Sequence, residues 1–228
     1  MLDRNHRAGP KEQALLTRTA FMRQLSPQAQ ARMLDGAHVA MMPARASIFR
    51  EGDAAVSFYA VLTGYVRLYK INRDGRHADI RICGPGDMFA ECLIHGGEKY
   101  RYCAQAAENV TVARFDMQEV RDFAEQDPSV ARALMTILSE HLLTTMECVV
   151  SDRFYTAPQR VADYLLSRCP VQDGPASICL PFQKSLLAGM LGLAPEALSR
   201  AFSSLRRTGV IVRGRVIQIG DVAALRKI

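Results

Sequence analysis

The stretch Leu180–Gly209, LPFQKSLLAGMLGLAPEALSRAFSSLRRTG, constrains the fold more than any other part of the chain. It reads as two short helices joined by a glycine-bearing turn. In the second helix Glu196, Ser199, Arg200, Ser203 and Arg207 recur at steps of three to four, which places them on one helical face. Leu198, Ala201, Phe202 and Leu205 fall on the other face and pack inward. Pro195 stands at the first helical position, where a missing N–H costs nothing. Gly192 supplies the turn, and small Ala188 lets the two helices approach closely. A helix that is apolar on one side and carries Glu, Ser and Arg on the other suits a DNA major groove. There Arg200 matches O6 and N7 of guanine, Glu196 accepts from a cytosine amino group, and Ser199 meets a neighbouring base or phosphate. The competing reading, an ordinary surface helix with scattered polar residues, is weakened by the residues after Gly209.

These residues, Val210–Gly220 (VIVRGRVIQIG), read as two short β-branched strands around Arg213-Gly214-Arg215. A hairpin with basic tip residues Arg213 and Arg215 behind such a helix is a wing that reaches the phosphate backbone. The segment is therefore expected to be a winged helix-turn-helix. Charge agrees with it. From Arg153 onward the chain holds 11 Lys/Arg against 4 Asp/Glu, a net +7, and the preceding residues hold 18 against 19. A basic C-terminal third beside a near-neutral remainder is the footprint of double-stranded DNA as a partner.

A chain of 228 residues accommodates two domains with their own cores. No run approaches the roughly 18 apolar residues of a membrane span. The beginning, MLDRNHRAGPKEQ, is polar and lacks an apolar signal region, so a cytoplasmic location is expected and no membrane partner. Six cysteines, at 83, 92, 103, 148, 169 and 179, include no C-x-x-C and no zinc spacing, and read as free, mostly buried thiols. Enzyme chemistry finds no support. His77 and His95 stand alone without the His-x-His of a cupin metal site, and no serine elbow, phosphate loop or H-E-x-x-H occurs.

Between Ala46 and Phe115 turn glycines come at a regular beat, Gly52, Gly64, Gly75 and Gly86, 11 or 12 residues apart. Strand-like segments lie between them: 57–62, 65–71 and 78–83. The second and third alternate apolar with polar residues, as half-buried antiparallel strands do. Asp74-Gly75 marks a tight hairpin. Short strands at this spacing predict a double-sheet β-roll or jelly roll, that is, a double-stranded β-helix, within an α+β chain. After Asp127-Pro128 the chain runs without Gly or Pro to Thr156. Met135, Leu138, Leu142, Thr145, Val149 and Asp152 alternate steps of three and four, the coiled-coil period, and predict a dimerisation seam. The alternative is one apolar helix face packing on its own β-roll. Asp152 is awkward in such a seam, because two carboxylates meeting across a dimer repel. That repulsion is expected to weaken the dimer until an effector favours it. The expected divisions are 1–127 with N-terminal helices and the β-roll, 128–156 for the dimerisation helix, and 157–228 for the winged helix-turn-helix.

Four pieces of sequence, taken in order, carry a family resemblance: Phe49-x-x-Gly52; Phe58-Tyr59-x-Val61-x-x-Gly64-x-Val66-x-Leu68; Pro85-Gly86-Asp87-x-Phe89-x-Glu91; and the helix-turn-helix. With these gaps the chain resembles the CRP/FNR family of bacterial transcription regulators over nearly its whole length. The resemblance implies a cyclic-nucleotide-binding-like sensor, a homodimer and a palindromic operator. Glu196-x-x-Ser199-Arg200 resembles FNR-type readers and implies TTGA-like half-sites. RNA polymerase is a further partner if the protein activates.

The family implies three sensor chemistries. An FNR-type iron–sulfur cluster needs a group of N-terminal cysteines, and none precedes Cys83. A cyclic-nucleotide cassette corresponds here to Phe89-Ala90-Glu91 through Arg101-Tyr102. By that resemblance Glu91 matches the ribose-binding carboxylate, Arg101 the phosphate-binding arginine and Thr145 an adenine-contacting threonine. Ala90, however, replaces a glycine whose backbone must approach the ligand, and the Tyr102 ring fills the phosphate space. Met146 comes after Thr145 where a hydroxyl is expected. Glu91 and Arg101 then pair with each other in an empty pocket, and control by a cyclic nucleotide or by no ligand at all are the alternatives. Phe89-Ala90-Glu91, Ala188-Gly189 and Pro195-Glu196-x-x-Ser199-Arg200 resemble the denitrification regulators of DNR/NnrR type. That likeness implies a nitric oxide response with haem as cofactor, for which His141, His95, His77 and Cys92 are the axial-ligand candidates. His141 lies in the helix that couples sensor to dimer.

Overall fold

Proline and glycine punctuation, with apolar residues recurring between, sets the element boundaries. Residues 6–228 are described by this computed structural model. The first five residues of the polar N-terminal stretch lie outside the described residues. The described chain begins with β1 (His6–Arg7), α1 (Pro10–Leu16) and α2 (Pro27–Gly36). Both helices carry proline in the first turn, and the Ser26 hydroxyl caps α2 by accepting from the Ala29 N–H at 3.1 Å.

Eight strands come next: β2 (His38–Met42), β3 (Ser47–Phe49), β4 (Ser57–Thr63), β5 (Val66–Ile71), β6 (His77–Cys83), β7 (Met88–Phe89), β8 (Cys103–Ala106) and β9 (Val110–Asp116). The pairs are nested: β2 with β9, β3 with β8, β4 with β7, β5 with β6, all antiparallel. This nesting is jelly-roll winding, and it produces two sheets, β1-β2-β9-β4-β7 and β3-β8-β5-β6. Their inner faces share one core in which Phe58 stacks on Phe115 at 5.1 Å and Val61, Val66, Leu68 and Val112 are buried. The four turn glycines all have positive φ. At Gly64 a Cβ would sit 2.4 Å from the Asn109 carbonyl oxygen, so no larger residue fits there.

The β5–β6 connection differs from the tight hairpin expected at Asp74-Gly75. Ile71 pairs with His77 across residues 72–76, and the Asn72 side-chain oxygen accepts from Asp74 N–H at 3.0 Å and Arg76 N–H at 2.9 Å. Asn72 organises the loop, making it a five-residue one. A register shift at Leu68/Tyr69 also interrupts the alternation expected over 78–83, and Ile80 is left 54% exposed.

The helices α3 (Met117–Gln126) and α4 (Pro128–Phe154) close this part. Asp127 starts α4. One of its carboxylate oxygens accepts from Ser129 N–H at 2.8 Å and the other from the Ser26 hydroxyl at 2.7 Å. These bonds hold its carboxyl below the usual range. One face of α4 (Val130, Ala133, Leu134, Ile137) is buried in the roll core. By length and composition α4 also holds an 18-residue stretch apolar enough to cross a bilayer, with a mean hydropathy of 1.3, which corrects the expectation that no segment does. Two apolar faces on one helix raise that average.

The chain divides into two units, Met1–Thr144 and Thr145–Ile228, with the boundary inside α4. The second unit continues with α5 (Ala157–Ser167), β10 (Ala176–Cys179), α6 (Lys184–Met190), α7 (Pro195–Leu205), β11 (Val210–Arg213), β12 (Val216–Ile219) and α8 (Val222–Leu225). Thr156 and Gln159 form a capping box at the start of α5. The sheet order is β10-β12-β11. The sequence reading missed β10, whose four residues bury only Ile178 and so leave little periodic signal. The six thiols are free, but only Cys83 and Cys103 are buried, while Cys92, Cys148 and Cys179 are exposed. The expectation of mostly buried thiols fails because Cys148 lies on an exposed turn of α4, Cys92 in the 3-10 turn Glu91–Leu93 and Cys179 at the end of the edge strand β10.

Candidate nucleic-acid interface and sensor pocket

The helix-turn-helix is built as its sequence dictates. Gly192 takes φ +61°, and the Leu193 N–H reaches back to the Ala188 carbonyl at 2.9 Å. Ala188 is buried between the helices, and Leu198, Ala201, Phe202 and Leu205 turn into the core of the unit. Glu196, Ser199, Arg200 and Ser203 are exposed together on the opposite face. The Ser203 hydroxyl donates to the Ser199 carbonyl at 3.0 Å, leaving its oxygen to accept. The α-helix ends at Leu205, and Arg207 is exposed just beyond it, in the 3-10 turn Arg206–Thr208. Arg213 and Arg215 are exposed at the β11–β12 tip, where Gly214 has φ +60°. Lys184, Ser185 and Arg206, which the sequence reading did not single out, join Ser199 and Ser203 around a hollow of about 310 Å³. They add donors of the kind that suit phosphate beside the polar face of α7.

In the first unit, aromatic rings pack closely against one another. Phe49 stacks on Tyr100 at 3.7 Å, Tyr59 on Phe89 at 5.0 Å, and Phe49 meets Tyr102 at 5.8 Å. Tyr100 is fixed by donating to the Ser57 carbonyl at 2.7 Å. Ala90 adopts φ +67°, a left-handed conformation natural to glycine, and is buried. It directs Glu91 inward, where the side chain is 4% exposed. Glu91 Oε1 bonds His141 Nδ1 of α4 at 2.8 Å, and Oε2 has no hydrogen-bond partner among the described residues. The expected Glu91–Arg101 pair does not form: Arg101 is exposed, and His141 takes the carboxylate. Burial, with Cys92 and Glu91 alongside, pushes the half-buried Tyr102 phenol well above its usual range. Burial pushes the Cys83 thiol up to about 12. Thr145 is exposed in the second unit. His77 stacks on Tyr69 at 4.9 Å, and His95 is exposed in a loop. Among the described residues no three His, Cys, Asp or Glu side chains gather as a metal site.

Residues 39–127 match the model of the cyclic nucleotide-binding domain, and residues 159–228 that of the Crp-like helix-turn-helix domain. Over 169 residues the chain is 30% identical to the nitrogen fixation regulation protein FixK of Bradyrhizobium diazoefficiens, covering 72% of this chain and 70% of that one. The chain belongs to the CRP/FNR family. The FixK2 structure from Bradyrhizobium japonicum matches with a TM-score of 0.70 at 28% identity, over 84% of this chain and 96% of that chain. DNR from Pseudomonas aeruginosa matches with 0.51 at 28% identity, over 94% of this chain and 96% of that one. Because FixK and DNR share the likeness, it identifies the family and not one branch. This CRP/FNR-family chain is a DNA-binding transcription regulator and not an enzyme.

The seam positions of α4 in this regulator, Met135, Leu138, Leu142, Thr145, Val149 and Asp152, are all exposed, with Leu142 at 62%. So are Leu143, Met146, Val150 and Phe154, which the heptad reading left out. Asp152 is not the bare carboxylate the sequence suggested. It forms an ion pair with Arg160 of α5. Its charge is met within the chain, and the expected repulsion between two such carboxylates loses its basis.

Proposed function

We propose that the protein is a homodimeric, effector-controlled regulator in the cytoplasm that reads a palindromic, TTGA-like site. The observation that carries the reading is α7. Leu198, Ala201, Phe202 and Leu205 are buried, and Glu196, Ser199 and Arg200 are exposed on one face. Arg200 and Glu196 read base edges, Ser199 meets a base or phosphate, and Ser203, Arg207, Arg213 and Arg215 touch the backbone. The dimer is supported by α4, where Met135, Leu138, Leu142, Leu143, Met146, Val149 and Val150 face solvent in the single chain. Two-fold symmetry then requires half-sites about 34–36 Å apart, one helical turn of DNA. If the regulator activates, RNA polymerase is its further partner. Selection from a random duplex pool followed by Arg200→Ala tests the reading. The variant is expected to lose about 1–3 kcal/mol and to relax preference at one base pair. Equal loss on every sequence would reduce Arg200 to a phosphate contact.

For the effector, haem with nitric oxide is the reading we favour. A carboxylate on Nδ1 is the partner that metal-ligating histidines commonly have, and only His141 of the three candidate histidines sits on one. Cyclic nucleotides are disfavoured by the Ala90 methyl and the Tyr102 ring. An absorption titration with haem, then nitric oxide, decides. A Soret band that saturates at equal haem and subunit, shifts with the gas and disappears in His141→Ala supports haem. Without such a band, control by a cyclic nucleotide or by no ligand takes its place.

A further inference from the structure

Arg160, in the first turn of α5, reaches three separate places with one guanidinium. Its Nη1 donates to the Leu191 carbonyl, in the turn between α6 and α7, at 3.1 Å. The same nitrogen pairs with the Asp152 carboxylate in the last turn of α4. Its Nε donates to the Tyr155 carbonyl, at the break between α4 and α5, at 3.3 Å. The Arg160 side chain is 14% exposed, while Asp152, at 58%, leaves the ion pair open to water on its own side. Gly192 closes the arrangement from the other side. A Cβ there would meet Asp152 Oδ1 at 3.2 Å and Arg160 Nη1 at 3.6 Å. The glycine thus serves a left-handed turn and also leaves room for the ion pair.

The backbone at Tyr155-Thr156 leaves the helical path, and two soft dihedrals per residue would let α5 and everything after it swing. The planar, always-charged guanidinium is suited to bracing such a joint, since its donors point in fixed directions. We propose that Arg160 is a positioning residue: a strut that fixes the helix-turn-helix against the last turns of α4, so that two recognition helices arrive at one operator spacing. It contacts no base or phosphate in this role. The inference rests on the dimeric reading above.

The test uses the full chain and the palindrome that the unsubstituted protein selects from a random duplex pool. Its partners are the same duplex with one arm scrambled and a series with the arms moved apart base pair by base pair. Selection of a two-armed duplex by the unsubstituted protein tests the dimeric reading by itself. Arg160→Met keeps an apolar stem and removes the donors. It is expected to bind the two-armed duplex about tenfold more weakly, as when only a fraction of molecules holds the competent geometry. Binding to the one-armed duplex should stay unchanged, and the spacing preference should flatten. Asp152→Asn, on the exposed side of the pair, guards against a folding defect in the first variant and should show a smaller shift in the same direction. Unchanged two-armed affinity in both variants overturns the proposal. So does an equal loss on both duplexes, which a general weakening of the DNA-binding unit would produce.

Discussion

Replacing His141 with alanine strands the Glu91 carboxylate in the sensor core. Glu91 is 4% exposed, its Oε1 bonds His141 Nδ1 at 2.8 Å, and Oε2 already lacks a hydrogen-bond partner among the described residues. Removing one partner of a buried hydrogen bond and leaving the other unsatisfied costs about 1–3 kcal/mol, more for a charged group. Glu91 loses the bond that His141 gives it, so about 3 kcal/mol applies here. Glu91→Gln keeps the shape and an acceptor while removing the charge that needed compensation, so about 1 kcal/mol is expected. The double variant strands no charge and should cost about 2 kcal/mol, less than the two singles together, a coupling of about 2 kcal/mol. Urea unfolding of the four proteins, followed by the fluorescence of the sensor tyrosines, measures the cycle. A double variant whose cost equals the sum of the singles to within about 0.5 kcal/mol would refute the reasoning, because independent sites add to that tolerance.

Leu142→Asp puts a charge into the exposed apolar face of α4. Losing one leucine from each chain removes about 3 kcal/mol in all, roughly a hundredfold in dimer affinity, and an unchanged sedimentation profile on dilution would count against that seam. Asp127 titrates below its usual 3.8 because it accepts from Ser26 and Ser129. A lowered folded-state pKa means stability that is present above the unfolded value and lost as pH falls through the folded one. Acid unfolding of the sensor unit below pH 3.8 should therefore be shallower in Asp127→Asn, and parallel curves of Tm against pH would exclude the contribution.

Much of the fold is legible in local chemistry. Pro10, Pro27, Pro128 and Pro195 mark helix starts, and Gly52, Gly64, Gly86 and Gly192 mark left-handed turns. The inward face of α7 follows from a helical period that holds from Leu198 to Leu205. Where local geometry changes, the same counting misleads. A register shift exposes Ile80, and Asn72 enlarges a loop that Asp74-Gly75 alone would have made tight. The α4 helix was legible as apolar and periodic, but not as a helix with two apolar faces, one buried in the roll and one exposed.

By itself the sequence determined most of the elements, the winged helix-turn-helix, the β-roll and the polar face of α7. These depend on periodicity and on backbone preferences that act within a few residues. Only the tertiary structure decided which charges meet. Glu91 finds His141 rather than Arg101 across 50 positions, and Asp152 finds Arg160 rather than a second Asp152. Such pairings depend on where the chain returns in space, and a Coulomb contact of a few ångströms leaves no periodic trace in the order of residues.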